Sequence, residues 1–171
     1  MKDLNEQLKD LIAKDAIRTK LVAYTRAMDR SDAALGNSVF TEDSTLDYGT
    51  EGMFKGSGAE FIEWVNAVHA ASFVGTAHQI SNEYIKVTGD TATSETYLNV
   101  SLRSAANADG VTMEMNNRAR YLDQWVCKDG EWFIKNRVFV IDFAEDRIID
   151  VPRPPEATAH RDQTDISYQI L

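Results

Sequence analysis

Apolar residues near the start of the chain recur with the period of a helix. Leu4, Leu8, Leu11, Ile12, Ile17, Leu21, Tyr24 and Met28 follow one another mostly at three-, four- and five-residue intervals, and no Pro or Gly occurs before Gly36. This predicts a long helix with a break near Lys14–Asp15, closing in the polar run Asp29-Arg30-Ser31-Asp32. A short helical piece over Ala33 to Val39 follows, then Phe40 and a turn-like Thr41-Glu42-Asp43-Ser44. Leu46-Asp47-Tyr48 against Gly52-Met53-Phe54-Lys55 reads as a short hairpin. Ser57, with Glu60 three residues on, is placed to cap a further helix carrying Phe61, Ile62, Trp64, Val65 and Val68.

Beyond His78 the period changes from helix to strand. Strands are predicted over His78 to Val87, Thr91 to Arg103, Val111 to Val126 and Glu131 to Phe143. Gly89-Asp90, Ala108-Asp109-Gly110 and Lys128-Asp129-Gly130 mark the turns between them. The second strand alternates most clearly, with Ala92, Ser94, Thr96, Leu98, Val100 and Leu102 opposed to the residues between them. Strands of this length, roughly 30 to 50 Å, must twist and curl around the helices. Ala144 to Leu171 contains Pro152, Pro154 and Pro155 and shows no period, so an extended arm is expected, ordered against its own domain or a neighbouring subunit. The organisation is thus one α+β domain over 1–143 and a C-terminal arm of the same domain over 144–171.

Charge narrows the range of partners. Asp and Glu number 27 against 18 Lys and Arg, a formal net charge of −9, and no basic cluster offers a footprint for nucleic acid. The start of the chain is polar and amphipathic rather than basic and then apolar, so it does not read as a secretory leader. No run approaches the length of a membrane span. The one cysteine, Cys127, excludes an intramolecular disulfide and fits a reducing compartment. A cytoplasmic location is the expectation.

The chemistry-bearing residues are few. Of three histidines, His69 lies in a helix beside Val65 and Val68 and reads as structural or partly exposed, and His160 lies in the arm and reads as solvated. His78, at a strand start, is the strongest candidate for a proton acceptor near neutral pH. Asp29, at a helix end where negative charge is unfavourable, calls for a compensating partner. Tyr24 shares a helix face with Leu21 and Met28, so its buried hydroxyl bonds either to a substrate oxygen or to backbone. By strand alternation Arg137 shares a face with Lys135 and Phe139, and either points into a pocket or pairs with a carboxylate. The histidines are too scattered for a metal site, and Gly56-Ser57-Gly58 lacks the βαβ setting of a dinucleotide site. No cofactor is expected.

Helices first, then a hairpin, another helix and four long strands resembles the cone-shaped α+β barrel of the NTF2-like superfamily. Within it the chain looks like the SnoaL-like branch that includes scytalone dehydratase, hexachlorocyclohexane dehydrochlorinase and bile acid 7α-dehydratase, over about residues 5 to 143. The resemblance implies N-terminal helices packed on a strongly curved, mixed, mostly antiparallel sheet. It also implies that Asp29, in Tyr24-Thr25-Arg26-Ala27-Met28-Asp29, pairs with His78, in Gly75-Thr76-Ala77-His78. Tyr24 then stands at an active-site tyrosine position, Tyr48 looks like a second one, and Arg137 resembles a late active-site arginine. Where bile acid 7α-dehydratase has an acidic residue on a middle strand, this chain offers Asn99 or Asn117.

His78, Asp29 and Tyr24 are therefore the expected catalytic residues, with Tyr48, Arg137, Asn117 and Asn99 expected to bind substrate. The expected activity is that of a cofactor-independent dehydratase on a small to medium, apolar, hydroxylated or keto molecule. Double-bond isomerisation, polyketide-type cyclisation and non-catalytic ligand binding stand as alternatives. A homodimer or homotrimer is implied, with Trp125 and Trp132 near the strand ends as surface for burial.

Overall fold

The computed structural model describes residues 3–49, 53–149, 157 and 159–171. Helix α1 (Leu4–Arg30) starts at Asp3, whose carboxylate accepts from the Glu6 backbone N–H at 2.8 Å, while the Glu6 carboxylate accepts from the Asp3 N–H at 3.1 Å. This reciprocal box satisfies two of the donors that a helix start leaves unpaired. The break expected near Lys14–Asp15 is absent, since no Pro or Gly interrupts the ladder. What changes there is burial. Leu4, Leu8, Leu11 and Ile12 are exposed, and the buried stripe begins at Ala13 and runs through Ile17, Leu21, Tyr24 and Met28.

Helix α1 ends at Ser31, which takes a left-handed conformation with φ of 49°. Asp32 then caps α2 (Ala33–Asn37) by accepting from the Leu35 N–H. The stretch expected to turn at Thr41–Ser44 is instead part of strand β1 (Phe40–Asp47). It lies beside the last strand with an irregular register between Phe40 and Thr45, over the same polar residues that read as a turn. β2 (Lys55–Gly56) pairs with β1 through Leu46–Gly56 and Asp47–Lys55, as a short hairpin; Gly52 lies outside the described residues. Ser57 caps α3 (Gly58–Ser72) with Glu60 completing the box.

Four long strands follow: β3 (Phe73–Thr88), β4 (Thr91–Ser104), β5 (Thr112–Lys128) and β6 (Glu131–Ile149). The six strands form one sheet in the order β2-β1-β6-β5-β4-β3, antiparallel except for the parallel β1–β6 pair. Helix α1 packs on β3 and β6, and α3 on β1 and β3, so both cover the same, concave side. The fold is α+β, with N-terminal helices against a curved mixed sheet. Bulges help the long strands curve. Lys135 is the extra residue between the Trp125–Ile134 and Gln124–Asn136 pairs, and Asp142 the extra one between Ala119–Ile141 and Arg118–Phe143.

Two strand limits differ most from expectation. β3 begins at Phe73, directly after α3, so His78 lies inside it rather than at its start. β6 continues past Phe143 to Ile149 because Thr112 to Arg118 of β5 stay paired with it. Beyond that strand, residues 159–171 fold back onto the domain, and α4 (Ser167–Ile170) closes the chain. Pro152, Pro154 and Pro155 lie outside the described residues. Trp125 and Trp132, expected to offer surface for self-association, are 2% and 6% exposed and belong to this chain's own core. They fall on the inward side of the pleat, where Trp125 Nε1–H donates to Ser94 Oγ at 2.8 Å. None of the described helices is long and apolar enough to cross a membrane.

Candidate functional site

The last turn of α1 and the middle of β3 bring two distant residues together. His78 Nδ1 lies 2.7 Å from Asp29 Oδ1, and the His78 backbone N–H donates to Asp29 Oδ2 at 3.0 Å. An ionised carboxylate can only accept, so Nδ1 carries a proton, and in a neutral ring Nε2 is the nitrogen with the lone pair. The two hydrogen bonds also offset the unfavourable placement of a carboxylate at a helix C-terminus. Their side chains are 18% and 7% exposed for Asp29 and His78, respectively, which keeps the pair largely out of water.

His78 borders a cavity of about 630 Å³ that lies between α1, α3 and the concave face of the sheet and opens to solvent. Its wall is mainly apolar, with Met28, Phe61, Trp64, Val100, Leu102 and Phe139 supplying much of it. The polar groups on it are Tyr24, Tyr48, His69, His78, Asn117 and Tyr121, with Asp146 at an exposed position. Among the described lining residues there is no Lys or Arg. An apolar cavity with a few convergent polar groups is the usual form of a small-molecule site.

Two of those groups form a second cluster. The Tyr24 and Tyr48 hydroxyls are 2.7 Å apart, so the buried phenol of Tyr24 bonds to another phenol rather than to backbone. Tyr48 is stacked on Phe61, and Tyr24 meets Tyr121 edge to face. Burial raises the pKa of both Tyr24 and Tyr48. For Tyr24 the rise is opposed by the positive charge of Arg137 and by the hydrogen bond from Tyr48. The guanidinium of Arg137 lies 4.3 Å from the Tyr24 ring centroid and 3.9 Å from that of Tyr121.

Arg137 itself does not reach the cavity wall. It is fully buried in a two-pronged pair with Asp123, Nε to Oδ1 at 2.7 Å and Nη2 to Oδ2 at 2.8 Å. Simple alternation put it on a face with Lys135, but the bulge at Lys135 shifts the phase, and Ile134, Arg137 and Phe139 point inward. Its position is therefore behind the tyrosines, against the rings of Tyr24 and Tyr121 rather than on the cavity wall. Asn99 is also displaced from expectation. It sits on the opposite face of β4 from Val100 and Leu102, which line the cavity, whereas Asn117 of β5 is on the wall.

His69 is the residue that sequence reasoning passed over. It is 6% exposed, lines the cavity, and has its ring centroid 6.2 Å from that of His78. Its Nδ1 is buried with no hydrogen-bond partner among the described residues. Burial, followed by the charges of His78 and Arg161, lowers its pKa to about 4, so the ring is neutral near pH 7. A signal was present: Phe61, Val65 and His69 recur every four residues on the buried stripe of α3, and a polar ring on such a stripe needs a partner or a ligand.

Comparison with known proteins agrees with this architecture. Residues 9–138 match the SnoaL-like domain. No curated protein matches the chain. Among solved structures, a protein from Novosphingobium aromaticivorans provisionally described as a scytalone dehydratase is 21% identical, covering 86% of this chain and 95% of that one with a TM-score of 0.70. Hexachlorocyclohexane dehydrochlorinase LinA-type3 from Novosphingobium barchaimii is 16% identical over 87% and 99% of the two chains, TM-score 0.71. The Mycobacterium tuberculosis protein Rv3472, of unknown function, is 22% identical over 99% and 91%, TM-score 0.63. At these identities the likeness speaks for the fold, and the family match covers most of the chain. The chain belongs to the SnoaL-like domain family.

Proposed function

We propose that the chain is a cofactor-independent lyase of the dehydratase type, in the scytalone dehydratase-like branch, acting on a neutral, largely apolar hydroxylated ketone. The observation that carries this reading is the 2.7 Å contact between Asp29 and His78 at the edge of an apolar cavity. A general base must lie within hydrogen-bond reach of the group that orients it, with its other nitrogen open to the substrate. His78 Nε2 takes a proton from the carbon next to the carbonyl, and Asp29 stabilises the imidazolium that forms. Negative charge builds on the carbonyl oxygen and is met by the free O–H of the Tyr24–Tyr48 pair, with Arg137 behind Tyr24 adding positive potential.

As the enolate re-forms its carbonyl, the carbon–oxygen bond of the neighbouring hydroxyl breaks. The His78 imidazolium returns its proton to that oxygen, so water leaves and His78 is restored. Neutral His69 and Asn117, both on the cavity wall, hydrogen-bond the departing oxygen in this reading. Without a leaving group the same base would return the proton to another carbon, giving double-bond isomerisation.

The likeness to a described scytalone dehydratase and to a dehydrochlorinase supports elimination as the reaction class. We also propose that the chain works as a homodimer or homotrimer, detectable by light scattering as two or three times 19.2 kDa. The test of function is an absorbance screen for enone formation from hydroxylated ketones, steroids and aromatic polyketide fragments. Turnover of one compound, lost in His78→Ala, is expected. Turnover retained by that variant would contradict the mechanism.

A further inference from the structure

The two elements whose separation sets the Asp29–His78 contact, the end of α1 and the start of β3, are joined by a third party. Residues 159–171 lie across them. On the α1 side, Arg26 Nη1 donates to Ser167 Oγ at 3.1 Å and its guanidinium lies over the Tyr168 ring, while the Tyr168 hydroxyl donates to Asp32 at 2.7 Å. Arg30 Nε is 3.3 Å from Asp165 Oδ1, an ion pair without hydrogen-bond alignment. Asp165 is 3% exposed, and its other oxygen accepts from the His160 N–H at 2.9 Å.

The next residue reaches the other side. Arg161 Nη1 donates to the carbonyl of Phe73 at 2.8 Å and to that of His69 at 3.4 Å. These carbonyls lie where α3 becomes β3, so the guanidinium acts as a C-terminal cap brought in from a remote segment. Its Nε and Nη2 are buried without a partner among the described residues. Burial disfavours its charge and lowers its pKa, and the carboxylate of Asp29 partly offsets that. Arg30 opposes it, and on the cavity side it faces the neutral ring of His69, whose pKa it helps to lower. Arg30, Asp165, His160, Arg161 and Phe73 thus form one continuous tie between the helix that carries Asp29 and the strand that carries His78.

We propose that Arg161 is a positioning residue of the site: together with Asp165 it clamps the α3–β3 corner to the end of α1 and so fixes His78 on Asp29. The C-terminal segment is then a working part of the site rather than an appendage. This rests on the Asp29–His78 pair being the acid/base unit, but its test needs no substrate.

The experiment is long-range proton–nitrogen magnetic resonance on the full chain, which reads the tautomer of His78, for wild type, Arg161→Gln, Arg161→Lys and Asp165→Asn. In wild type the Nδ1–H tautomer dominates. In Arg161→Gln and Asp165→Asn its ratio to the Nε2–H form falls roughly threefold or more, while amide exchange in the β4–β5–β6 ladder is unchanged. Arg161→Lys, which keeps a cationic donor, recovers most of the wild-type ratio. An unaltered His78 tautomer in both Arg161→Gln and Asp165→Asn would overturn the proposal, as would equal loss in Arg161→Lys and Arg161→Gln. If Arg161→Gln does not fold, Asp165→Asn and Arg161→Lys decide by the same readout. Should the tautomer respond as stated while His78→Ala keeps full turnover, the dehydratase mechanism falls and the clamp stands.

Discussion

Asp29 holds His78 through both of its carboxylate oxygens, one on the imidazole Nδ1 and one on the backbone N–H of the same residue. The ring is fixed in tautomer by the first bond, and the strand is fixed in place by the second. Replacing the carboxylate by an amide keeps the shape and removes the charge. Asp29→Asn is therefore expected to fold with little change in melting temperature and to lose about 10²–10⁴ in kcat, with KM changed far less. Steady-state kinetics beside a melting curve check this.

The tyrosine pair makes a different prediction. Tyr24 and Tyr48 satisfy one another, so Tyr24→Phe or Tyr48→Phe leaves a buried hydroxyl with one partner fewer. Each single variant is expected to lose about 1–3 kcal/mol of stability. The double variant should lose less than the sum, because the bond between the two hydroxyls is lost only once. Urea unfolding of the four proteins measures the coupling, and near-additive losses would contradict the pairing.

Arg137 and Asp123 form a fully buried ion pair. Arg137→Met strands the Asp123 carboxylate in the core and is expected to cost about 3–5 kcal/mol, whereas replacing both partners with apolar residues of similar volume should recover much of that loss. The folded fraction in urea titrations is the readout.

Much of the fold was legible because it is written in local periods. The capping boxes at Asp3 and Ser57, the helix stripe from Ile17 to Met28 and the alternation of β4 each depend on neighbours within a few residues. The site was less legible. Nothing local in Asp29 or His78 says that they meet; that expectation came from the resemblance. Arg137 does share its inward face with Phe139 and does pair with a carboxylate, Asp123, but Lys135 was wrongly grouped with them, because as the inserted residue of a bulge it breaks the parity of the strand, and a bulge has no distinct sequence mark here. His69 was read as structural or partly exposed because an isolated polar residue on an apolar stripe looks the same whether its partner is a core atom, water or a ligand. Arg161 lay in a segment without any period, and its partners are backbone carbonyls, which no side-chain pattern can reveal.

His69 sets a pH dependence whose direction follows from its depressed pKa. Its folded-state value is about 4 and an unfolded chain returns it to about 6.5. The unfolded state therefore binds more protons as the pH falls through that interval. Stability tied to neutral His69 is present in full above about pH 6.5 and is lost progressively as the pH drops towards 4. Urea midpoints between pH 7.5 and 4.5 should fall more steeply for wild type than for His69→Gln. Parallel slopes would mean that His69 is not held neutral by burial.

The central claim is that His78 moves the proton, and the most direct measurement is the single-turnover rate of water elimination in His78→Ala, with the compound that the screen identifies. A fall of about 10²–10⁴-fold is expected in a variant that still binds the compound. An elimination rate equal to that of wild type, in a variant shown to be folded, would contradict it.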